Sequence, residues 1–260
     1  MTGSAAVPDA PIRIDDHDRV RTITFARADK LNAFDSALYH ATAEALVAAA
    51  EDEAIHVVVL TGEGRAFSAG QDLAEMAALA TGTAAEGAET GFTSLLDVLV
   101  GYPKPLVAAV NGLAIGIGFT ILPHCDLVLV DEGARLRVPF AELGAPPEAA
   151  SSVLFPARMG WQRAAYVLLT SDWITADQAV EFGMALRTCA PGTVLDEALA
   201  LAHGIASAPL SALLAIKRLM QDGQVDAIVA ARRREEDAFA TLLFGDDVRG
   251  ALDSFNERPR

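Results

Sequence analysis

The sequence is poor in cysteine, in basic residues and in long apolar runs. Its two cysteines, Cys125 and Cys189, lie far apart and in no metal-ligand spacing, so neither a disulfide framework nor a metal site is expected. Lys and Arg number 20 against 35 Asp and Glu, which gives a formal net charge of −15. Nucleic acids and anionic membranes favour basic surfaces, so neither is expected as a partner.

No segment has the pattern of a membrane span or a secretory signal. The richest apolar stretch, residues 106–122, is interrupted by Asn111 and three glycines, whereas a spanning helix needs roughly 18 uninterrupted apolar residues. Residues 1–11 lack a basic start followed by an apolar core. We therefore expect a flexible N-terminal tail over 1–11 and a soluble, cytoplasmic protein.

The sequence does contain enough apolar material for a large core, because 52% of its residues are hydrophobic and 21% are charged. Strand-like and helix-like patterns alternate up to Glu148. The predicted strands are 12–14, 20–26, 55–60, 105–110, 126–130 and 136–138, with a turn over Asp15–Asp18 and a helix over Asp35–Glu51. This alternation predicts an α/β fold with right-handed crossover connections.

The rest of the chain divides into a loop and a helical part. Residues 77–91 are rich in Ala, Gly and Thr and are predicted to form a loop. Helical patterns cover 149–159, 162–170, 175–182, 194–207, 210–222 and 225–243. We therefore assign 12–195 to an α/β core and 196–260 to a helical C-terminal region.

The first segment that could form part of a functional site is residues 64–73, Gly-Arg-Ala-Phe-Ser-Ala-Gly-Gln-Asp-Leu. It links a buried strand to a predicted helix through small residues, which lets a ligand approach backbone N–H groups at the start of that helix. A strand-to-helix turn that binds nothing fits the same pattern equally well.

The second segment, residues 110–120, holds glycines at 112, 116 and 118. These glycines favour either exposed amides at a turn or close backbone packing. The segment lacks both the third glycine of a dinucleotide fingerprint and the Lys-Ser/Thr of a P-loop.

The third segment, residues 139–152, leads into a predicted helix through Pro146 and Pro147 and places Glu148 in its first turn. The helix dipole favours a carboxylate there, whereas burial beside Phe140 would favour the neutral acid. A carboxyl group whose pKa is set by these two opposing effects suits proton transfer. The alternative is that Glu148 is a surface residue with no catalytic role.

Together and in this order, the three segments resemble the crotonase superfamily over Ile12–Arg258. Residues 28–33, Ala-Asp-Lys-Leu-Asn-Ala, resemble the adenine-side loop of that family, and residues 248–255 its C-terminal signature. The resemblance implies a crotonase-like fold of repeated β-β-α units with a C-terminal helical region for oligomerisation and pocket closure. It also implies a homotrimer or a hexamer, a coenzyme A thioester as substrate and no permanently bound cofactor.

The same resemblance assigns site residues. The amides of Ala69 and Ile117 match the two donors that hold the thioester oxygen, and loss of one such donor costs about 3 kcal/mol. Seating of coenzyme A is assigned to Lys30, Ala66, Ala69, Gly70, Gln71, Asp72 and Leu73. The carboxylates of Asp72 and Glu142 are interpreted as structural, with Asp72 at a helix start.

The reaction is indicated by a departure from the hydratase pattern. The hydratases of the superfamily that this chain resembles have a glutamate at each of two positions. This chain has Thr120 and Phe140 there. Glu148 instead matches the single glutamate of peroxisomal-type 3,2-enoyl-CoA isomerases, which implies an isomerase of fatty acid β-oxidation. An enoyl-CoA hydratase, a thioester hydrolase and a non-catalytic acyl-CoA-binding or scaffold protein remain as alternatives.

Overall fold

The structure is a computed structural model that describes residues 10–81, 83–84, 87 and 90–243. The strands are β1 (Ile12–His17), β2 (Val20–Phe25), β3 (Val57–Gly62), β4 (Ala66–Ser68), β5 (Leu106–Val110), β6 (Leu113–Ile115), β7 (Leu127–Asp131), β8 (Arg135–Arg137), β9 (Ile174–Thr175) and β10 (Arg187–Cys189). Residues 1–9 of the tail predicted over 1–11 and the C-terminal signature over 248–255 lie outside the described residues.

Ten α-helices accompany these strands in the described part of the chain. They are α1 (Ser36–Glu51), α2 (Leu73–Thr81), α3 (Gly91–Leu99), α4 (Ile117–Thr120), α5 (Ser151–Met159), α6 (Trp161–Thr170), α7 (Ala176–Glu181), α8 (Val194–Ala206), α9 (Leu210–Gln221) and α10 (Val225–Leu243). The predicted α/β class with a helix-rich C-terminal part is confirmed.

Two sheets organise the molecule. A six-stranded sheet has the order β1-β2-β3-β5-β7-β10, in which only β1 and β2 pair antiparallel. A smaller sheet has the order β4-β6-β8-β9. Each large-sheet strand of the series β3, β5, β7 is followed by a small-sheet strand and then a helix, which is the predicted β-β-α repeat.

The large sheet is covered on both faces. Along β3, Val58 and Leu60 belong to one apolar cluster with residues of α1, whereas Val57 and Val59 belong to a second cluster with α8. This alternation follows from the two-residue period of a strand. Helix α8, which crosses the predicted boundary at residue 195, thus packs on the sheet through Ala198 and its neighbours.

Two local predictions were wrong, and short strands were missed. Asp15–His17 continue strand β1 instead of turning, because β1 is an edge strand whose polar side chains face solvent. The turn is only Asp18 and Arg19, both with positive φ, as a tight hairpin requires. Helix α2 extends to Thr81, so the predicted loop over 77–91 begins later. Short strands β9 and β10, which were not predicted, lie in the 12–195 core between the predicted helices, and each pairs with a sheet formed earlier in the chain.

Within the described residues, no single helix combines the length and the apolar character needed to cross a membrane. Helices α8 and α9 meet the two criteria only as a pair, and they are bent by 105° at their junction.

Candidate active site

The first two glycine segments meet where β4 and β6 end. A Cβ atom added to Gly70 would lie 2.9 Å from the carbonyl oxygen of Ile115, and one added to Gly116 would lie 3.8 Å from the Cα of Gly70. At Gly118 an added Cβ would lie 2.6 Å from the carbonyl oxygen of Ser68. The backbones therefore approach as closely as glycine allows, and the two segments form one site.

Backbone amides on both segments have no hydrogen-bond acceptor among the described residues. On the second segment these are the amides of Ile117 and Gly118, the first two residues of α4, whereas the amide of Gly116 donates to the carbonyl of Arg137 at 2.9 Å. On the first segment it is the amide of Gln71, which follows Gly70. One amide from each segment, such as those of Gln71 and Ile117, forms a pair that is able to hold a developing negative oxygen.

The amide of Ala69 is already engaged. It donates to the carbonyl of Leu31 at 2.9 Å. The amide of Asp72 donates to the carbonyl of Phe34 at 2.8 Å. This pairing conflicts with the prediction that Ala69 donates to a thioester oxygen, because its proton already has an acceptor. Two residues later in the chain, the amide of Gln71 has no acceptor among the described residues.

Glu148 approaches this site from the third segment. It lies in the extended stretch before α5, not in the first helical turn as predicted, and its carbonyl accepts from the amide of Ser151 at 2.9 Å. Its carboxyl oxygen lies 3.5 Å from the hydroxyl of Thr120, on the short helix α4 that Ile117 begins. All three predicted segments therefore converge.

The surroundings of Glu148 make it a weaker acid. Although part of the residue reaches solvent, its carboxyl group is enclosed by protein. Burial and, less strongly, the negative charge of Glu235 raise its pKa, the hydroxyl of Thr120 lowers it, and together they bring the pKa to about 7. A carboxyl group with this pKa is substantially ionised at neutral pH and is also basic enough to take a proton from carbon.

The loops are fixed by residues that sequence reasoning did not assign to the site. Asn32 is fully buried and donates to the carbonyls of Glu63 and Ala66 at 2.9 and 2.7 Å. The hydroxyl of Tyr39 donates to the side-chain oxygen of Gln71 at 2.7 Å. Asn32 could have been found from the sequence, because it lies within the motif at 28–33. Tyr39 could not, because its spacing is that of any residue on the apolar face of α1.

Asp72 has the structural role that was predicted for its carboxylate. One carboxylate oxygen accepts from the amide of Ala74 at 3.0 Å, and the other accepts from Arg27 at 3.0 Å. Arg27 also pairs with Asp35 at 2.9 Å. Asp72 thus connects the start of α2 to the loop before α1, and both of its carboxylate oxygens have partners within the protein.

The other residues assigned to coenzyme A have varied surroundings. Lys30 is exposed at the end of a short 3₁₀ helix, Ala28–Lys30, and Leu73 is 40% exposed at the start of α2. Ala66 and Gly70 are buried, so they offer backbone and little side-chain surface.

A second carboxylate is not available beside Glu148 in the described part of the chain. The two positions of the hydratase pattern hold Thr120 and Phe140, both buried. Glu142 pairs with Arg137, and the two carboxylate oxygens of Glu235 accept backbone amides. The site therefore combines two free amides with one carboxyl group that is free to exchange a proton.

Comparisons with known proteins agree on one family. The model of the enoyl-CoA hydratase/isomerase family matches residues 15–260. The chain is 32% identical over 239 residues to the 1,2-epoxyphenylacetyl-CoA isomerase of Escherichia coli (strain K12), with 91% of each chain covered. It is 30% identical over 244 residues to the enoyl-CoA delta isomerase 2 of Homo sapiens, covering 93% of this chain and 62% of that protein.

Solved structures give the same result. An enoyl-CoA hydratase/isomerase from Pseudoalteromonas atlantica has a TM-score of 0.90 and 31% sequence identity, with 96% of this chain and 99% of that chain covered. An enoyl-CoA hydratase from Mycobacterium marinum has a TM-score of 0.78 and 48% identity, covering 82% of this chain and 99% of that chain.

Proposed function

Because the chain belongs to the enoyl-CoA hydratase/isomerase family, as its motifs predicted, we propose that it is a Δ3-Δ2-enoyl-CoA isomerase acting on fatty acyl-CoA. The observation that supports this reaction best is the single proton-exchanging carboxyl group, Glu148, beside two free amides. An isomerase needs one base, which both removes and returns the proton.

In the proposed reaction, the carboxylate of Glu148 removes a proton from C2 of a 3-enoyl thioester. The electron pair of the broken C–H bond forms a double bond between C1 and C2, and the carbonyl becomes an oxyanion. The protonated Glu148 then gives the proton to C4, the carbonyl reforms, and the double bond lies between C2 and C3. No atom is gained or lost, so no water has to be held.

The amides of Gln71 and Ile117 are the proposed donors to the oxyanion. They start from segments that touch at Gly70 and Gly116, and neither amide has to break a hydrogen bond described in the structure. Donors that are fixed before the reaction stabilise the charge at the moment it forms. Lys30 and the chain from Ala66 to Leu73 are the proposed seat of the coenzyme A moiety.

The hydratase remains a second candidate because a solved neighbour that is 48% identical is described as an enoyl-CoA hydratase. Purified protein incubated separately with a 3-enoyl-CoA and a 2-enoyl-CoA distinguishes the two reactions. We expect the absorbance of the conjugated thioester to appear with the first substrate and to stay unchanged with the second. Loss of that absorbance with the second substrate would indicate hydration, and binding without turnover of either would indicate a non-catalytic role.

A further inference from the structure

The turn that carries Glu148 has an unusual backbone. Ala149 and Ala150, which follow it directly, have φ angles of +56° and +58° and are both buried. Left-handed backbone is disfavoured for alanine, and two such residues in succession persist only where surrounding groups hold them. The direction in which Glu148 points is set by this turn.

Contacts from elsewhere in the fold hold both alanines. His124 donates to the carbonyl of Ala149 at 2.8 Å. Glu235, on the C-terminal helix α10, accepts from the amide of Ala150 at 2.7 Å and from the amide of Ser152 at 2.9 Å. Glu235 is 85 residues away from Ala150 in the chain and is itself 7% exposed. Its carboxylate therefore bridges α10 to the turn.

Glu235 also brings a negative charge close to Glu148. The other titratable or charged groups around the turn are Tyr39 on α1, His124 after α4, Arg158 on α5 and Arg232 on α10. Burial lowers the pKa of His124 to about 4 and raises that of Tyr39, so both are neutral near pH 7. Arg232 pairs with Asp97 at 2.8 Å, and Arg158 donates to the carbonyls of Pro123 and Cys125.

We propose that Glu235 is a positioning residue for the isomerisation, because its carboxylate accepts hydrogen bonds from the amides of Ala150 and Ser152 and so fixes the turn that directs Glu148. This inference rests on the proposed function. It links the C-terminal helix to the chemistry, since displacement of α10 would release the turn and remove the neighbouring charge together.

The test compares three full-length variants. Glu235→Gln removes the charge and one of the two acceptors, Glu235→Asp keeps the charge on a shorter side chain, and Asp237→Asn removes an exposed charge two residues along α10 as the control. For Glu235→Gln we expect kcat for a 3-enoyl-CoA to fall about tenfold or more with little change in KM. The midpoint of its kcat/KM profile against pH should move down by about half a unit or more, because a repelling charge is lost.

Glu235→Asp should lower kcat while leaving the midpoint near that of the unchanged protein, and it replaces Glu235→Gln if that variant does not fold. Asp237→Asn should leave both quantities unchanged. A merely structural helix cap would lower the melting temperature without moving the midpoint. If Glu235→Gln behaves like Asp237→Asn, or lowers only the melting temperature, the inference is overturned.

A second readout does not depend on activity. The Glu148 carboxyl is titrated by carbon-13 NMR of protein with labelled glutamate, and its signal is assigned by its loss in Glu148→Gln. A lower pKa in Glu235→Gln, even in a protein that does not isomerise 3-enoyl-CoA, would support the positioning role and reject only the proposed function. An unchanged pKa in a protein that does isomerise would reject the inference alone.

Discussion

Glu148 shows how the surroundings of one residue create both a base and a stability cost. Its carboxyl group is enclosed by protein, and burial together with the charge of Glu235 raises its pKa from the ordinary value of 4.5 to about 7. The charged form is therefore destabilised in the folded protein relative to the unfolded chain. The stability that comes from the neutral form is fully present below pH 4.5 and is lost as pH rises through 7.

This linkage predicts the effect of Glu148→Gln on folding. Above pH 7 the variant should have a larger free energy of unfolding than the unchanged protein, by up to about 3 kcal/mol, since it never becomes charged. At pH 4.5 the two proteins should be nearly equal. Urea unfolding at both pH values measures the difference, with the exposed Glu44→Gln on α1 as the control. An equal difference at both pH values would show that the carboxyl is not shifted in the folded state.

At the scale of elements, the site depends on close contact between the loops after β4 and β6. Gly118→Ala places a Cβ 2.6 Å from the carbonyl oxygen and 2.9 Å from the Cβ of Ser68, so the start of α4 has to move. We expect the Ile117 amide to be displaced and kcat/KM to fall about 100-fold, as when one oxyanion donor is lost. The assay is isomerisation of 3-enoyl-CoA by protein that is shown to be folded by circular dichroism.

Gly204→Ala is the matched control for this prediction. Gly204 lies in helix α8, and an added Cβ would meet nothing within 4 Å. Alanine is the better helix former, so this variant should gain about 0.5–1 kcal/mol of stability and keep its turnover. Equal losses in both variants would mean that turnover does not depend on the contact between Gly118 and Ser68.

The same loops show what local sequence patterns can and cannot predict. The apolar run of β3 and the glycines at 112, 116 and 118 drew attention to two segments, and the resemblance to the crotonase superfamily assigned them to a site. They could not identify the free amide, because the amide of Ala69 donates to the carbonyl of Leu31, 38 positions earlier in the chain. Leu31 has a positive φ, which its own sequence position did not reveal. Such a choice depends on long-range pairing, which the spacing within one segment does not encode.

At the scale of the whole molecule, the strands β1, β2, β3, β5 and β7 and the helix α1 were predictable from their apolar patterns. The short strands β4, β6, β9 and β10 were not, since two or three residues show no period and their place is given by the sheets that they join. The role of Glu235 was equally hidden, because it arises only when α10 packs beside α5.

The assembly predicted by resemblance, a homotrimer or a hexamer in the cytoplasm, stays a prediction. Trp161 and Leu169 on α6 are 78% and 73% exposed, and Leu219 on α9 is 77% exposed. Large apolar side chains on helix surfaces are the kind of surface that association between subunits covers.

The most direct measurement of the central claim is the turnover of a 3-enoyl-CoA by Glu148→Gln at pH 8, where the unchanged carboxyl is ionised. We predict that formation of the conjugated product falls about 10³-fold, because no other group takes the C2 proton. Binding of the thioester, measured by calorimetry, should stay within about threefold because the amides of Gln71 and Ile117 are retained. Near-normal turnover by this variant would contradict the account and place the base elsewhere.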